Sequence, residues 1–213
     1  MFTGLIEQVC KVKSVRRSAD AMELAVDLGK LAGQSKIGDS IAISGACLTV
    51  SRLAGNLAAF DVSGETLAKS NLGKLAVGSK VNVELSMKIG DRFGGHIVLG
   101  HIDGVAKIKA IDKRGKFADI RFETERELLD QMVVKGSVAV DGISLTIASM
   151  EGNCFRVAVI PETLKRTTLG EAKIGNVVNI ETDIIVKTIK KQLENILPQG
   201  QTLTVEKLKQ LGF

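Results

Sequence analysis

From residue 40 onward the chain breaks into short runs in which apolar and polar positions alternate, separated by turn-forming residues. Ser40-Ile41-Ala42-Ile43 and Leu48-Thr49-Val50 flank Gly45, and Asn56 to Val62 follows the turn signal Gly55-Asn56. Val81-Asn82-Val83-Glu84-Leu85 alternates strictly. A period of two with β-branched residues predicts strands, and the glycine turns predict hairpins. Short helical pieces are expected at Glu65–Asn71, Glu125–Val133 and Glu162–Thr168. The period changes in the tail. Between Ile184 and Leu197 the apolar residues fall at 185, 186, 189, 193, 196 and 197, one face of a helix. Lys187, Lys190, Lys191 and Glu194 take the other side, and Pro198 ends the pattern. Val205, Leu208 and Leu211 suggest a second short helix.

The same text is written twice. Ser40 to Glu84 aligns without gaps onto Ser137 to Glu181, and seventeen of the 45 aligned positions are identical. Gly45 falls on Gly142, Leu48-Thr49 on Leu145-Thr146, and Glu65-Thr66-Leu67 on Glu162-Thr163-Leu164. Nearer the start the offset slips from 97 to 96, so that Gly4 and Ile6 match Gly100 and Ile102. A period of this length marks duplicated domains. The chain therefore divides into 1–96, 97–184 and a helical tail, 185–213. About six strands per copy suggest a small closed barrel, which leaves no sheet edge exposed. The fold class is mainly β.

Composition removes several function classes. The 213 residues include no Trp or Tyr and seven Phe, so the cores are aliphatic. A net charge of +5 is mild, and no basic–aromatic cluster offers platforms for stacked bases, which argues against nucleic acid. Three widely spaced cysteines form neither a metal-type pair nor a disulfide framework and fit a reducing cytoplasm. The segment from Met1 to Glu7 lacks the pattern of a signal peptide, and no apolar run approaches the length of a membrane span.

The reactive inventory is small. Of the two histidines, His96 follows Gly94-Gly95 and reads as structural. His101 stands where the first copy has Leu5, so the repeat itself did not require it, and this moves it toward function. Cys47 lies opposite Ser144, and each follows a glycine turn two residues before a threonine, Thr49 or Thr146. A buried core cysteine is the plain alternative. A Cys–His hydrolase would need an orienting acid and an oxyanion hole, which nothing local supports. No dinucleotide fingerprint, phosphate loop or metal-ligand cluster is present.

Five motifs carry a resemblance: Met1-Phe2-Thr3-Gly4, Gly45-x-Cys47-Leu48-Thr49-Val50, Gly100-His101-Ile102, Asp141-Gly142-Ile143-Ser144-Leu145-Thr146 and Ile160-Pro161-Glu162-Thr163-Leu164. In this order and at these separations the chain resembles the riboflavin synthase family of double lumazine-binding proteins. The resemblance implies two six-stranded Greek-key barrels, a C-terminal helix and a homotrimer held by that helix. Its implied activity is a dismutation of two 6,7-dimethyl-8-ribityllumazine molecules, with no cofactor and no metal. One lumazine gives up a four-carbon unit and the other accepts it, yielding riboflavin and 5-amino-6-(D-ribitylamino)uracil. Two lumazines would meet between the first barrel of one subunit and the second barrel of its neighbour. The family also leaves room for association with lumazine synthase.

Carried over by motif, the first-barrel pocket would use Gly4, Leu5, Ile6, Ser40, Cys47, Leu48 and Thr49. It would add Asp61, Val62, Ser63, Gly64, Glu65 and Thr66, with Gly100, His101 and Ile102. The second-barrel pocket would use Lys135, Ser144, Leu145 and Thr146, then Ile160, Pro161, Glu162, Thr163, Leu164 and Lys165. Phe2, Cys47, His101, Ser144 and Asp183 are the expected catalytic group. Cys47, Ser144 or a water they position would add to the acceptor ring, while His101 and Asp183 would move or orient protons. Lys135 and backbone groups would hold the ring oxygens and the ribityl chain. The competing reading is a non-catalytic lumazine- or flavin-binding protein of the same fold. A plain β-barrel interaction module would show neither binding nor turnover.

Overall fold

Two tight turns set the hairpins on which the molecule is built. Ser44-Gly45 and Asp141-Gly142 each place two successive residues at positive φ, 44° and 85° in the first and 45° and 79° in the second. That pairing is the hairpin turn whose twist matches its strands. The computed structural model describes residues 1–196. In it, strands β1 (Gln8–Arg17), β2 (Ala21–Asp27), β3 (Ser40–Ile43), β4 (Ala46–Ala54), β5 (Leu57–Ser63) and β6 (Lys80–Leu85) close in the order β1-β2-β5-β4-β3-β6. The run β3-β4-β5 is joined by hairpins and β6 returns beside β3, a Greek key. The second barrel repeats this with β7 (Gly104–Arg114), β8 (Phe117–Glu123), β9 (Ser137–Val140), β10 (Ile143–Glu151), β11 (Cys154–Val159) and β12 (Val177–Thr182). Register shifts recur at equivalent points, between Val50 and Arg52 and between Ile147 and Ser149. Such bulges curve a sheet toward closure.

The three helices before the tail are shorter than the sequence suggests. α1 covers Gly64–Lys69, α2 only Arg126–Leu129, α3 Pro161–Arg166, and α4 Ile184–Ile196. The expected continuation of α2 to Val133 is replaced by tight turns, with Gln131 and Met132 donating to the carbonyls of Leu128 and Leu129. This folding-over buries Leu129 and Met132 on the second core. The expected helix around Val205 to Leu211 lies outside the described residues. No helix among the described residues is long and apolar enough to cross a membrane.

Each barrel encloses its own core. Phe60, Leu24, Ile41 and Val83 fill the first, while Phe122 and Phe155 stack at 5.1 Å in the second. A third, smaller cluster lies between them: Phe2, Val98, Ala42 and Ala139, all buried. These are two pairs of repeat equivalents. Phe2 and Val98 exchange backbone hydrogen bonds of 2.7 and 3.1 Å, so the two copies meet about a pseudo-two-fold axis.

Two fully buried asparagines carry that meeting. Asn82 on β6 donates to the carbonyl of Asp141 at 2.9 Å, and Asn179 on β12 donates to the carbonyl of Ser44 at 2.8 Å. Their side-chain oxygens accept the backbone N–H of Thr168 and of Asn71. Between them the two turns touch. A Cβ on Gly45 would stand 2.7 Å from the backbone nitrogen of Gly142, so the contact requires glycine.

Asp141 occupies the place that Ser44 holds in the first copy and accepts the Asn179 backbone N–H at 2.7 Å. Burial pushes its carboxyl up to about 7, only partly offset by hydrogen bonds from Asn179 and Asn71. Between roughly pH 4 and 7 the unfolded chain loses this proton while the native chain keeps it, so stability falls as pH rises and levels off above 7. The full span is on the order of 4 kcal/mol. Asp141→Asn is expected to flatten this part of the pH–stability curve in urea titrations. An unchanged slope would show that Asp141 is ionised in the native interior.

Candidate functional site

Alternation along β4 and β10 decides which side chains a ligand can meet. Leu48 and Val50 turn inward, so Cys47 and Thr49 lie on the outer face; likewise Leu145 and Ile147 are buried while Ser144 and Thr146 face outward. Val62 is also a core residue. Leu48, Val62 and Leu145, expected in the pockets, have side chains turned into the barrels, leaving their backbones as the groups available to a ligand. The candidate side chains open to a ligand therefore lie on the barrels' exterior.

The leading segments of the two copies cross. The carbonyl of Gly4 accepts the Ser144 N–H at 2.8 Å, and the carbonyl of Gly100 accepts the Cys47 N–H at 2.8 Å. Ile6 packs on the second core and Ile102 on the first. Both glycines have positive φ, and a Cβ on either would stand within 2.6 Å of the Cβ of Ser144 or Cys47. This corrects one expectation: Gly4 and Ile6 join the Ser144 side and not the first-barrel pocket, while Leu5 borders a cleft with Thr3, Glu84 and Met87. Repeat alignment shows which residues correspond, and the crossing places each on the opposite barrel.

Beside Cys47 is a cleft of about 420 Å³ lined by Glu65, Thr66, Lys69, Gly100, His101 and Ile102. Ser63 holds the start of α1 in place by accepting the Thr66 N–H, and its hydroxyl lies 3.1 Å from that of Thr66. Asp61 and Gly64 are exposed next to this element. Cys47, His101 and the Glu65–Thr66 pair thus share one opening, as the motifs imply.

On the other side Ser144 meets His96. Its hydroxyl lies 2.7 Å from Nδ1 of the buried ring, whose Nε2 has no hydrogen-bond partner among the described residues. Burial lowers the pKa of His96 from its ordinary value, and the Asp183 carboxylate opposes this less strongly. A neutral imidazole against a hydroxyl is an arrangement suited to passing a proton. Glu162, Thr163 and Lys165 on α3, with Ile160 and Pro161 at its start, stand where Glu65 and Thr66 stand in the first copy. Leu164 is turned partly toward the core.

The remaining expected residues are placed differently. Phe2 is fully buried on the pseudo-axis and reaches neither opening, so any role it has in turnover is positional. Asp183 accepts the Ile185 N–H at 2.9 Å and so caps α4, while its charge also reaches His96. Ser40 borders a separate cleft with Lys36, Asp39 and Met87. Lys135 adopts φ +71° where the first copy has Gly38 at +89°, an unusual cost for a lysine.

The lumazine binding domain family matches residues 3–86 and again 99–183. A riboflavin synthase of Actinobacillus pleuropneumoniae is 40% identical over 215 residues, covering all of both chains. The chain belongs to the riboflavin synthase family. A riboflavin synthase of Bacillus subtilis (strain 168) is 38% identical, again over the whole of both chains. Among solved structures, LumP complexed with 6,7-dimethyl-8-(1'-D-ribityl) lumazine superposes with a TM-score of 0.79 over 85% of this chain and 99% of that one, at 22% identity, a likeness of fold.

His96 is the functional candidate that the sequence reading passed over. Its signal was present: it falls between the two repeat copies, outside the aligned pairs and beside the Gly100-His101-Ile102 motif. In ¹H–¹³C spectra the His96 ring is expected to titrate below its ordinary 6.5. Asp183→Asn, which removes the opposing charge, is expected to move the midpoint lower still. A midpoint at or above 6.5 would refute the neutral-imidazole assignment.

Proposed function

We propose that the chain catalyses the family's dismutation, in which two 6,7-dimethyl-8-ribityllumazine molecules become riboflavin and 5-amino-6-(D-ribitylamino)uracil. The observation that carries this is the pairing of like frames with unlike chemistry. Each outer face offers a threonine, an α-helix start and a crossing glycine segment, but one adds Cys47 and His101 and the other Ser144 and His96. Two copies of one substrate fit two related frames, and their different treatment fits different reactive groups.

The chemistry asks little of the protein. One lumazine is the four-carbon donor and the other the acceptor, so the exchange balances between identical molecules and needs no outside oxidant. The substrate's 7-methyl group is acidic enough for a modest base. Neutral His96, with Ser144, is the group best placed to take that proton or to activate a hydroxyl. Cys47 faces the other cleft as a nucleophile or as a holder of water. Thr49 and Thr146, the starts of α1 and α3, and Lys135 hold ring oxygens and ribityl hydroxyls. Orientation of the two rings supplies much of the rate, since fixed geometry alone is worth several orders of magnitude.

The reading extends to the assembly. Ile185, Ile189 and Leu193 form an exposed stripe along α4, which is pinned to the second barrel by Lys187 and Asp103 at 2.8 Å. Such a stripe suits packing against other copies, and a homotrimer would bring a first barrel against a neighbour's second barrel. Residues 1–96 and 97–184 are read as the two lumazine-binding units, and 185–213 as the trimerising tail. A cytoplasmic location follows from the same reading; association with lumazine synthase remains an expectation of the family resemblance alone.

Mixed with 6,7-dimethyl-8-ribityllumazine, the protein is expected to generate riboflavin fluorescence, and His96→Gln to lower kcat by about 100-fold or more. Stoichiometric binding without riboflavin would select the non-catalytic alternative. Ile189→Glu is expected to reduce the sedimenting mass to that of a smaller species and to abolish turnover with the fold intact. Full activity in a monomeric Ile189→Glu would eliminate the shared site.

A further inference from the structure

Two buried carboxylates stand behind the crossing segments, and neither belongs to the pocket it supports. Glu84 on β6 of the first barrel accepts the Thr3 N–H at 2.7 Å and the Thr3 hydroxyl at 2.6 Å with one oxygen. Its other oxygen accepts the Gly4 N–H at 3.0 Å. Glu181, its equivalent on β12, accepts the N–H groups of Leu99 and Gly100 at 2.7 and 2.8 Å. In each case the glycine so held presents its carbonyl to the opposite barrel, Gly4 to Ser144 and Gly100 to Cys47.

We infer that Glu84 and Glu181 are positioning residues that work crosswise: Glu84 of the first barrel fixes the Ser144–His96 pocket, and Glu181 of the second fixes the Cys47–His101 pocket. The chain of contacts is short and stiff. A carboxylate fixes two successive amides, the second amide's residue has a backbone that only glycine accommodates, and its carbonyl anchors the N–H of the reactive residue. Gly95 tightens the first case, because a Cβ there would press on the Thr3 carbonyl and on Ser144. His96 in turn donates its backbone N–H to that Thr3 carbonyl at 3.1 Å. Thr3 thus links Glu84 to His96, and Gly4 links it to Ser144. Among the described residues, Glu84 and Glu181 are the side chains that accept these N–H groups. A glutamine in either place keeps the shape but turns an NH₂ toward a backbone N–H, donor against donor.

Room for the carboxylates comes from the same cluster that marks the axis. Glu84 pairs across the sheet with Ala42, and Glu181 with Ala139. Both alanines are buried beside Phe2 and Val98. The small side chains leave space for the leading segments to run over the carboxylates, and the Phe2–Val98 bridge keeps the two segments in a fixed relation.

The inference rests on the lumazine-binding reading only for its consequence, so the test has two arms. In amide and imidazole NMR spectra of the free protein, Glu84→Gln is expected to move the Ser144 and His96 resonances and leave those of Cys47 and Leu48 in place. Glu181→Gln is expected to do the reverse. Thr3→Val, which removes the hydroxyl that donates to Glu84 and accepts the Leu5 N–H at 3.3 Å, is expected to give a smaller shift at Ser144 and His96, and it decides the matter if Glu84→Gln does not fold. In the second arm, titration with 6,7-dimethyl-8-ribityllumazine is expected to show about tenfold weaker binding for Glu84→Gln when read at Ser144, with affinity read at Cys47 within about twofold of the parent. Shifts confined to each glutamate's own barrel, or spread equally over both pockets, would overturn the crosswise assignment. A parent protein that shows no lumazine-induced shift at either pocket would overturn the substrate reading while the free-protein spectra still decide this one.

Discussion

Two asparagines with no exposure to solvent hold the halves of this molecule in register. An amide buried without partners is costly, and one that satisfies its oxygen and nitrogen across an interface is possible in few geometries. Asn82 and Asn179 each bind backbone on the opposite copy, so sliding or rotating one barrel against the other would strand several polar groups together. The backbone contact of Gly45 with Gly142, the Phe2–Val98 bridge and the crossing of Gly4 and Gly100 are all consistent with that one relative placement. A purely apolar contact of the same area would tolerate slippage that these groups forbid.

Near-symmetry makes the departures from it informative. Where the frames agree, the residues serve the frame: the glycine turns, the asparagines, the glutamates at the ends of β6 and β12. Where they differ, the surroundings differ in chemistry. Ser44 against Asp141 introduces a carboxyl at the interface, Leu5 against His101 introduces an exposed imidazole, and Cys47 against Ser144 exchanges a thiol for a hydroxyl. His96, outside the aligned pairs, gives the Ser144 side a buried imidazole. The duplication thus supplies two frames of one shape, and a handful of substitutions give each frame its own chemical groups.

Much of this was legible in the residues. Alternation and the gapless repeat yield the strands, the doubling and the helical tail, because a period of two and an offset of 97 are properties of the chain alone. The crossing was not legible. A repeat alignment pairs Gly4 with Gly100 but is silent on whether each packs on its own barrel or on the other, because it records correspondence and not contact. Phe2 was read as part of the chemistry because its motif is distinctive, yet it is distinctive for lying on an axis that no linear pattern displays. His96 was passed over for the opposite reason: a lone histidine after two glycines has no periodicity, and only the 2.7 Å approach to Ser144 reveals it. α2 stops early because tertiary burial of Met132 outweighs the local preference to continue a helix.

The Phe2–Val98 bridge has a corollary for how such a chain is assembled. Its two halves exchange their first residues reciprocally and meet residue for residue about a two-fold axis, which is the geometry of an isologous dimer with swapped arms. The link through residues 86–97 adds covalent tethering to a contact that already has closed symmetry. The interface draws equivalent residues from both copies, Asn82 with Asn179 and Gly45 with Gly142, and fusion leaves the two partners free to diverge. Tethering raises the local concentration of one half at the other far above that of separate chains, so the fused molecule tolerates asymmetric substitutions that would weaken a dimer of free subunits.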